Sequence, residues 1–153
     1  MNSYGLIDLH CDTLAEYWKY AHTGNPDTLD DPGRVLSLSN MPKDVHWAQF
    51  YAVFIPDEEH GQAAIDYFEK NRVNFYRQME KFGDRVAPCR NADDMEKAWA
   101  AGKTAAFLTI ENGSALAGDL SRVHTLAEQG VRAITLTWNG ENELGSGHTT
   151  DHG

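Results

Sequence analysis

The sequence predicts an α/β fold in which parallel strands alternate with helices, and two observations support this prediction. Short apolar runs of strand length alternate with longer segments in which apolar residues recur every three or four positions. The step from the run at 104–110 to the run at 131–137 is about 27 residues, the length of one strand and helix repeat. Repeats of this kind join parallel strands through right-handed crossovers.

Four strands and three helices are predicted in this order. The strands are 5–9 (GLIDL), 47–55 (WAQFYAVFI), 104–110 (TAAFLTI) and 131–137 (VRAITLT), and the helices are 57–82, 92–101 and 119–129. The nearly continuous apolar character of the strands is typical of parallel strands that are buried on both faces. The first helix carries one apolar stripe and should begin with the acidic run at 57–59. Gly83, Gly102 and Gly130 are expected to end the three helices.

The predicted strands account for about half of a closed barrel. An eight-stranded parallel α/β barrel typically needs about 250 residues, and this chain has 153. No helix is predicted after the fourth strand, so we expect residues 1–153 to be the N-terminal part of one barrel domain. Residues 24–43 are rich in turn formers and form a long excursion of the kind that often has a function.

Composition and charge limit which binding partners and which cellular compartment are expected for this protein. There are 13 Lys and Arg residues against 23 Asp and Glu residues, a formal net charge of -10, which argues against binding to nucleic acid or to an anionic membrane. No apolar run approaches the length needed to span a bilayer, and the first residues lack a secretory signal. With only two cysteines, the plain expectation is a reducing, cytoplasmic setting.

His10 and Asp12 stand at the end of the first predicted strand. Their spacing places both side chains on the same side of an extended backbone. One imidazole nitrogen and one carboxylate oxygen suit a divalent cation such as zinc. The tripeptide alone is equally consistent with a capping Asp beside a hydrogen-bonded His.

Glu111 follows directly on the buried run at 104–110. An acidic residue at the carboxyl end of an apolar strand is costly if it is buried unpaired, and sites of parallel α/β folds lie at that end. The alternative is an N-cap for the next helix, although that helix is predicted to start only near Asp119. The segment 138–142, with Trp138 and Asn139, follows the fourth strand in the same way. Three strand ends thus offer candidate groups on one edge.

The remaining histidines and cysteines carry weaker signals. His148 and His152 are four residues apart but lie among glycines, so they stay minor candidates, and Cys11 is expected to be a packed side chain. The sequence contains no Gly-x-Ser-x-Gly elbow, phosphate-binding glycine loop or paired CxxC motif. The other histidines are interpreted as surface or core residues: His22, His46, His60 and His124.

Three stretches of the sequence together resemble the membrane (renal) dipeptidase family, metallopeptidase family M19, among the amidohydrolase-like barrels. They are IDLHCDT at 7–13, GKTAAFLTIENG at 102–113 and GVRAITLTWN at 130–139. The resemblance implies an incomplete (β/α)8 TIM barrel with two zinc ions and a dipeptide or small amide as substrate. It assigns His10 and Asp12 to the first metal and Glu111 to a bridge between both metals. A water between the metals would attack the peptide carbonyl.

The resemblance also has two departures. Animal members of the family have a His where this chain has Trp138, so Trp138 and Asn139 are the candidate substrate contacts. The histidines of the second metal site and the acid that protonates the leaving amine are expected on later strands of the barrel. Two alternatives stay open: a metal-dependent hydrolase of another amide, ester or lactam, and a catalytically silent fragment that needs its C-terminal half. A homodimer is also compatible with the sequence.

Overall fold

In the computed structural model, residues 4–14 and 28–151 are described, and they form a five-stranded sheet with helices packed on it. The strands are β1 (Gly5–Cys11), β2 (His46–Phe54), β3 (Val86–Pro88), β4 (Thr104–Glu111) and β5 (Val131–Thr135), and the helices are α1 (Gly61–Lys81), α2 (Ala92–Ala100) and α3 (Arg122–Glu128). Short 3₁₀ turns lie at Thr28–Asp30 and Gly113–Leu116. All pairings between these strands are parallel, which confirms the α/β prediction.

The sheet is organised around β4. On one side β4 pairs with β2, which pairs with β1, and on the other side it pairs with both β3 and β5. β3 runs beside the start of β4, and β5 runs beside its end. The order β1, β2, β4, β5 is that of successive strands in a parallel barrel. β3 is missing from the four-strand prediction because three residues ending in proline carry no strand pattern.

The larger core lies between α1 and one face of the sheet. It joins Phe68 and Phe75 of α1 to Val53 of β2 and Leu108 of β4, all of them buried. The predicted apolar stripe of this helix is therefore confirmed, but its predicted start is wrong. α1 begins at Gly61 and has no acidic residue in its first turn, because 56–59 form a turn of their own.

The opposite face of the sheet is covered at its amino edge by α2. Phe50 of β2 stacks on Phe107 of β4 with ring centroids 4.7 Å apart, and Trp99 of α2 packs in the same cluster. The Trp99 indole N–H donates to the carbonyl of Trp47, and its ring lies against Gly5. Gly5 and Trp47 both stand near the starts of their strands. α2 therefore covers the amino edge and leaves the carboxyl edge of this face open.

β1 lies at the edge of the sheet and is exposed, so the prediction of a buried first strand is wrong. Leu6, Ile7 and Leu9 are 41%, 52% and 68% exposed. The physical reason is that β1 pairs with β2 alone among the described residues. Leu136, which follows β5, is similarly exposed. In the described part of the chain, no helix combines the length and the apolar character required to cross a bilayer.

Candidate metal centre

The structure brings the three predicted metal ligands together at the carboxyl edge of the sheet. Glu111 is the last residue of β4, His10 lies near the end of β1, and Asp12 follows that strand. His10 Nε2 is 3.3 Å from Asp12 Oδ1 and 3.3 Å from Glu111 Oε2. One ligand atom from each residue lies within 4.8 Å of the others. Residues about a hundred positions apart in sequence thus form one compact donor set.

A one-residue bulge in β1 turns His10 toward this set. Asp8 pairs with Gln49 and Cys11 pairs with Tyr51, so three steps along β1 match two steps along β2. Side chains alternate strictly in a regular strand, which would place His10 on the same face as Asp8. The extra residue reverses the alternation and presents His10 on the opposite face, where Glu111 lies. The geometry of the site therefore depends on this bulge.

Two local hydrogen bonds hold the end of β1. The carboxylate of Asp8 accepts a hydrogen bond of 3.1 Å from the backbone N–H of His10, as in an Asx turn. The hydroxyl of Thr13 donates to the carbonyl of Leu36 in the excursion after β1. Asp8 is a residue that the sequence reasoning missed, and an acid two positions before a strand-end His is the signal that could have found it.

Cys11 lies between the two β1 ligands but faces the helix-covered core. It packs against the larger core cluster, as predicted for a small apolar side chain. Burial raises the pKa of the Cys11 thiol to about 12. The thiol is therefore protonated at neutral pH and is a poor nucleophile or metal ligand.

Glu111 is the most enclosed of the three ligands. Its side chain is 18% exposed, against 46% for His10 and 59% for Asp12. Burial raises the pKa of Glu111, the neighbouring His10 lowers it, and Asp12 raises it again. The enclosed carboxylate thus has an environment that favours its neutral form, and a cation among the three ligands would favour the charged form.

The spacing of His10 Nε2 to the two carboxylates is compatible with a shared divalent metal ion. Two ligand atoms at about 2.1 Å from one tetrahedral zinc ion lie about 3.4 Å apart, which agrees with both 3.3 Å separations. Charge-assisted N–H···O bonds are shorter, about 2.7–2.9 Å. The single N–H at His10 Nε2 also has to choose between two carboxylates. One imidazole nitrogen and two carboxylate oxygens could hold a divalent metal ion and would leave a coordination position open.

The two predicted substrate contacts, Trp138 and Asn139, lie in different surroundings. The Trp138 ring meets Phe54 edge to face with centroids 4.8 Å apart, and Phe54 is paired in register with Glu111. Trp138 therefore forms part of the apolar wall beside the acid and is 42% exposed. The main-chain carbonyl of Asn139 accepts hydrogen bonds from Thr149, and no described contact joins Asn139 to the three ligands. Phe54 is a wall residue that sequence reasoning missed.

A cavity of about 410 Å³ opens beside the exposed ligands. It is lined by residues at the end of β1 and in the segment that follows, including His10, Asp12, Thr13 and Leu36. Its volume lies within the range of small-molecule pockets. The cavity offers space for a ligand next to the donor set.

The other histidines lie away from this cluster. His60 is 4.0 Å from Glu143, and the exposed His124 pairs with Glu128 on α3. The ring of His46 lies beside that of Trp99, and His148 is exposed. None of these four joins a described group of metal-binding side chains. His22 and His152 lie outside the described residues.

A histidine and two carboxylates at the carboxyl edge of a parallel α/β sheet are typical of metal-dependent hydrolases. Residues 1–153 match the sequence model of the membrane dipeptidase family, peptidase family M19. The chain belongs to this family. The family prediction made from the three sequence stretches is therefore confirmed.

Solved structures with this fold are about twice as long as the chain or longer. A metallopeptidase from Rhodobacter sphaeroides, liganded with a phosphinate mimic of the dipeptide L-Ala-D-Ala, matches with a TM-score of 0.76 and 16% identity over 92% of this chain and 47% of its own. The family M19 metallopeptidase dipeptidase AC matches with 0.75 and 18% over 92% and 45%. An amidohydrolase from Pseudomonas aeruginosa matches with 0.61 and 23% over 72% and 32%. These likenesses confirm the fold prediction, part of a TIM-type barrel.

Proposed function

We propose that this chain is the N-terminal part of a zinc-dependent dipeptidase and that His10, Asp12 and Glu111 hold its metal. The observation that carries the proposal is the pair of 3.3 Å separations from His10 Nε2 to the two carboxylates. Membership of a metallopeptidase family supports the class of reaction. The carboxyl edge of the sheet is where barrels of this type hold their catalytic groups.

The chain's own residues have distinct tasks in this proposal. A zinc ion held by these residues would polarise the scissile carbonyl and lower the pKa of an attacking water. His10 and Asp12 hold the ion from the exposed side of the site. Glu111, at the end of the central strand, would hold the metal from the enclosed side of the site. We assign Glu111 the catalytic role because a metal held there would lie next to the reacting atoms.

Trp138 is proposed to contact the substrate. Its ring and that of Phe54 form an apolar wall next to Glu111, and a dipeptide side chain would be desolvated against this wall. Asn139 is also proposed to contact the substrate, either through its main-chain atoms or after its loop changes conformation. Substrates of this kind are supported by the dipeptide mimic bound in the Rhodobacter sphaeroides structure.

The complete active site is proposed to need further strands. The exposed apolar residues of β1 and the exposed Leu136 after β5 lie at the two open edges of the sheet, where barrel closure would bury them. The second zinc site and the proton donor are proposed to lie on those strands, so we expect the 153-residue chain alone to be inactive. We also propose a cytoplasmic location, which the free thiols of Cys11 and Cys89 support, and assembly as a homodimer.

An assay of dipeptide hydrolysis on the full-length protein, with and without a chelator, tests this function. Glu111→Gln should lower kcat/KM by more than about 100-fold, since it removes a ligand rather than a group behind a ligand. The matched control is Glu128→Gln on the exposed surface of α3, which should change little. Activity that survives both chelation and Glu111→Gln would rule the proposal out. Hydrolysis of another amide, ester or lactam, but of no dipeptide, would select the alternative hydrolase.

A further inference from the structure

Asn112, the residue after Glu111, has a strained backbone. Its φ is 75° and its ψ is 107°, and Ala117 is the one other non-glycine residue with positive φ in the described part of the chain. Such conformations are strained and persist only where the surrounding structure holds them. Asn112 is also 1% exposed. Its side chain therefore has to supply the interactions that keep this conformation.

The Asn112 carboxamide joins the segments that follow three strands. Its Nδ2 donates to the carbonyl of Ile55 at 2.9 Å and to Asp57 Oδ1 at 3.4 Å, beyond the end of β2. Its Oδ1 accepts from the backbone N–H and the hydroxyl of Ser114 after β4. The same oxygen accepts from Asn142 Nδ2 at 2.8 Å, after β5. Both the Nδ2 group and the Oδ1 atom of Asn112 therefore have hydrogen-bond partners. A buried network in which every polar group is paired is rigid.

The same network holds the loop that carries Trp138 through hydrogen bonds before and after that residue. Before Trp138, the carbonyl of Leu136 accepts a hydrogen bond of 2.7 Å from Asn142 Nδ2. After Trp138, the backbone N–H of Gly140 donates to Asp57 Oδ2 at 2.8 Å. Asn142 and Asp57 are both partners of Asn112. The loop therefore depends on Asn112, the residue that adjoins Glu111.

We propose that Asn112 is a positioning residue that couples the orientation of Glu111 to the placement of the Trp138 loop. The proposal rests on the proposed function for its metal, but the coupling itself is a property of the chain. The strained turn at Asn112 sets the direction in which β4 ends, and its carboxamide holds the substrate wall at the same edge. Loss of the carboxamide should loosen both at once.

Asn112→Gly in the full-length protein is the main test. Glycine adopts positive φ without strain, so the substitution removes the network while relieving part of its cost. We expect zinc affinity, measured by competition with a chromophoric chelator, to fall about 10- to 100-fold. In the metal-free protein, the amide of Gly140 should exchange its hydrogen at least about tenfold faster.

Two further variants make the result decisive. Asn91→Gly is the matched control, because Asn91 Oδ1 caps α2, outside the Asn112 network, by accepting from Asp94 N–H. It removes the same kind of side chain and should keep wild-type zinc affinity. Asn142→Ala leaves Asn112 in place but removes the hydrogen bonds of Asn142 to Asn112 Oδ1, the Leu136 carbonyl and Leu144 N–H. It should raise KM more than it lowers zinc affinity.

The outcomes separate this proposal from the proposed function. If the wild type binds zinc and Asn112→Gly keeps both wild-type affinity and wild-type exchange, the coupling is wrong and the function stands. If the wild type binds no zinc, the function fails, and the exchange of Gly140 still decides the coupling. If Asn112→Gly does not fold, unchanged Gly140 exchange and KM in Asn142→Ala overturn the coupling. Equal loss of zinc affinity in Asn91→Gly also overturns it.

Discussion

The ends of β4 and β1 supply the residues of the same candidate metal centre but are held in different ways. Glu111 ends the central strand of the sheet, is 18% exposed, and adjoins a buried network that reaches two other strand ends. His10 and Asp12 end an edge strand, are about half exposed, and depend on short-range bonds such as that of Asp8. Changes near Glu111 should therefore lower stability as well as alter geometry, whereas changes near His10 should alter geometry with a smaller loss of stability.

The largest contrast should appear between two leucines. Leu108 of β4 is 1% exposed and Leu9 of β1 is 68% exposed. Leu108→Ala should lower the free energy of unfolding by about 2–5 kcal/mol because it leaves a cavity. Leu9→Ala in the 153-residue chain should stay within about 0.5 kcal/mol. Urea unfolding measures both.

The Leu9 result also tests the proposed barrel. Strands that close the barrel beside β1 would bury Leu9, so the same substitution in the full-length protein should cost more than about 1 kcal/mol. An equal, small cost in both forms would mean that the β1 edge stays open.

The next largest loss of stability is expected at Gly113, which is closely packed two residues after Glu111. A Cβ at Gly113 would lie 2.6 Å from Leu144 Cδ1 and 2.9 Å from the carbonyl oxygen of Leu136. Because a backbone oxygen cannot move aside easily, Gly113→Ala should cost about 1–3 kcal/mol. Gly145→Ala is the control, since its Cβ would meet only Thr137 at 3.9 Å. Thermal unfolding compares them, and equal melting temperatures would contradict the tight packing of this segment.

A smaller change in stability is expected at Asp8. Asp8→Ala removes the hydrogen bond to His10 N–H and should cost about 0.5–1 kcal/mol. Because that bond supports the bulge, zinc affinity should fall about tenfold. Asp8→Asn keeps an acceptor oxygen and should restore most of the affinity, as a chelator competition would show. A loss of affinity that Asp8→Asn shares in full would mean that the charge of Asp8, and not its hydrogen bond, matters.

The smallest effect is expected where the excursion after β1 meets β3. Asp30 forms a two-pronged pair with Arg85 at 2.7 and 2.8 Å, and this hydrogen bonding lowers the pKa of Asp30 below its usual value. A lowered carboxyl pKa stabilises the fold above the pKa of the unfolded chain, and the effect is lost as the pH falls through the folded pKa. Both side chains are partly exposed, so Asp30→Asn should cost only about 0.5–1 kcal/mol at pH 7.

The test of this pair is its pH dependence. Unfolding of the wild type and of Asp30→Asn should differ at pH 7, and the difference should shrink as the pH falls through the lowered pKa of the Asp30 carboxyl. A difference that keeps its size as the pH falls would show that charge is not its origin.

The candidate ligands of the site could be predicted from the sequence, but the bulge and the turn that orient them could not. Glu111 and His10 follow apolar runs, and the rule that parallel strands end on one edge is sufficient to bring them together. The bulge after Asp8 escaped prediction because the run GLIDL fits either register. The exposure of β1 and the positive φ of Asn112 depend on partners distant in sequence, which a local pattern does not contain.

X-ray absorption at the zinc edge tests most directly whether His10, Asp12 and Glu111 hold one metal ion. In the zinc-loaded 153-residue chain we expect only nitrogen and oxygen ligands, at about 2.0–2.2 Å, and loss of this shell in Glu111→Gln. A sulfur ligand at about 2.3 Å would mean that Cys11 binds the ion instead. Such a shell, or a spectrum that Glu111→Gln leaves unchanged, would contradict the proposed centre.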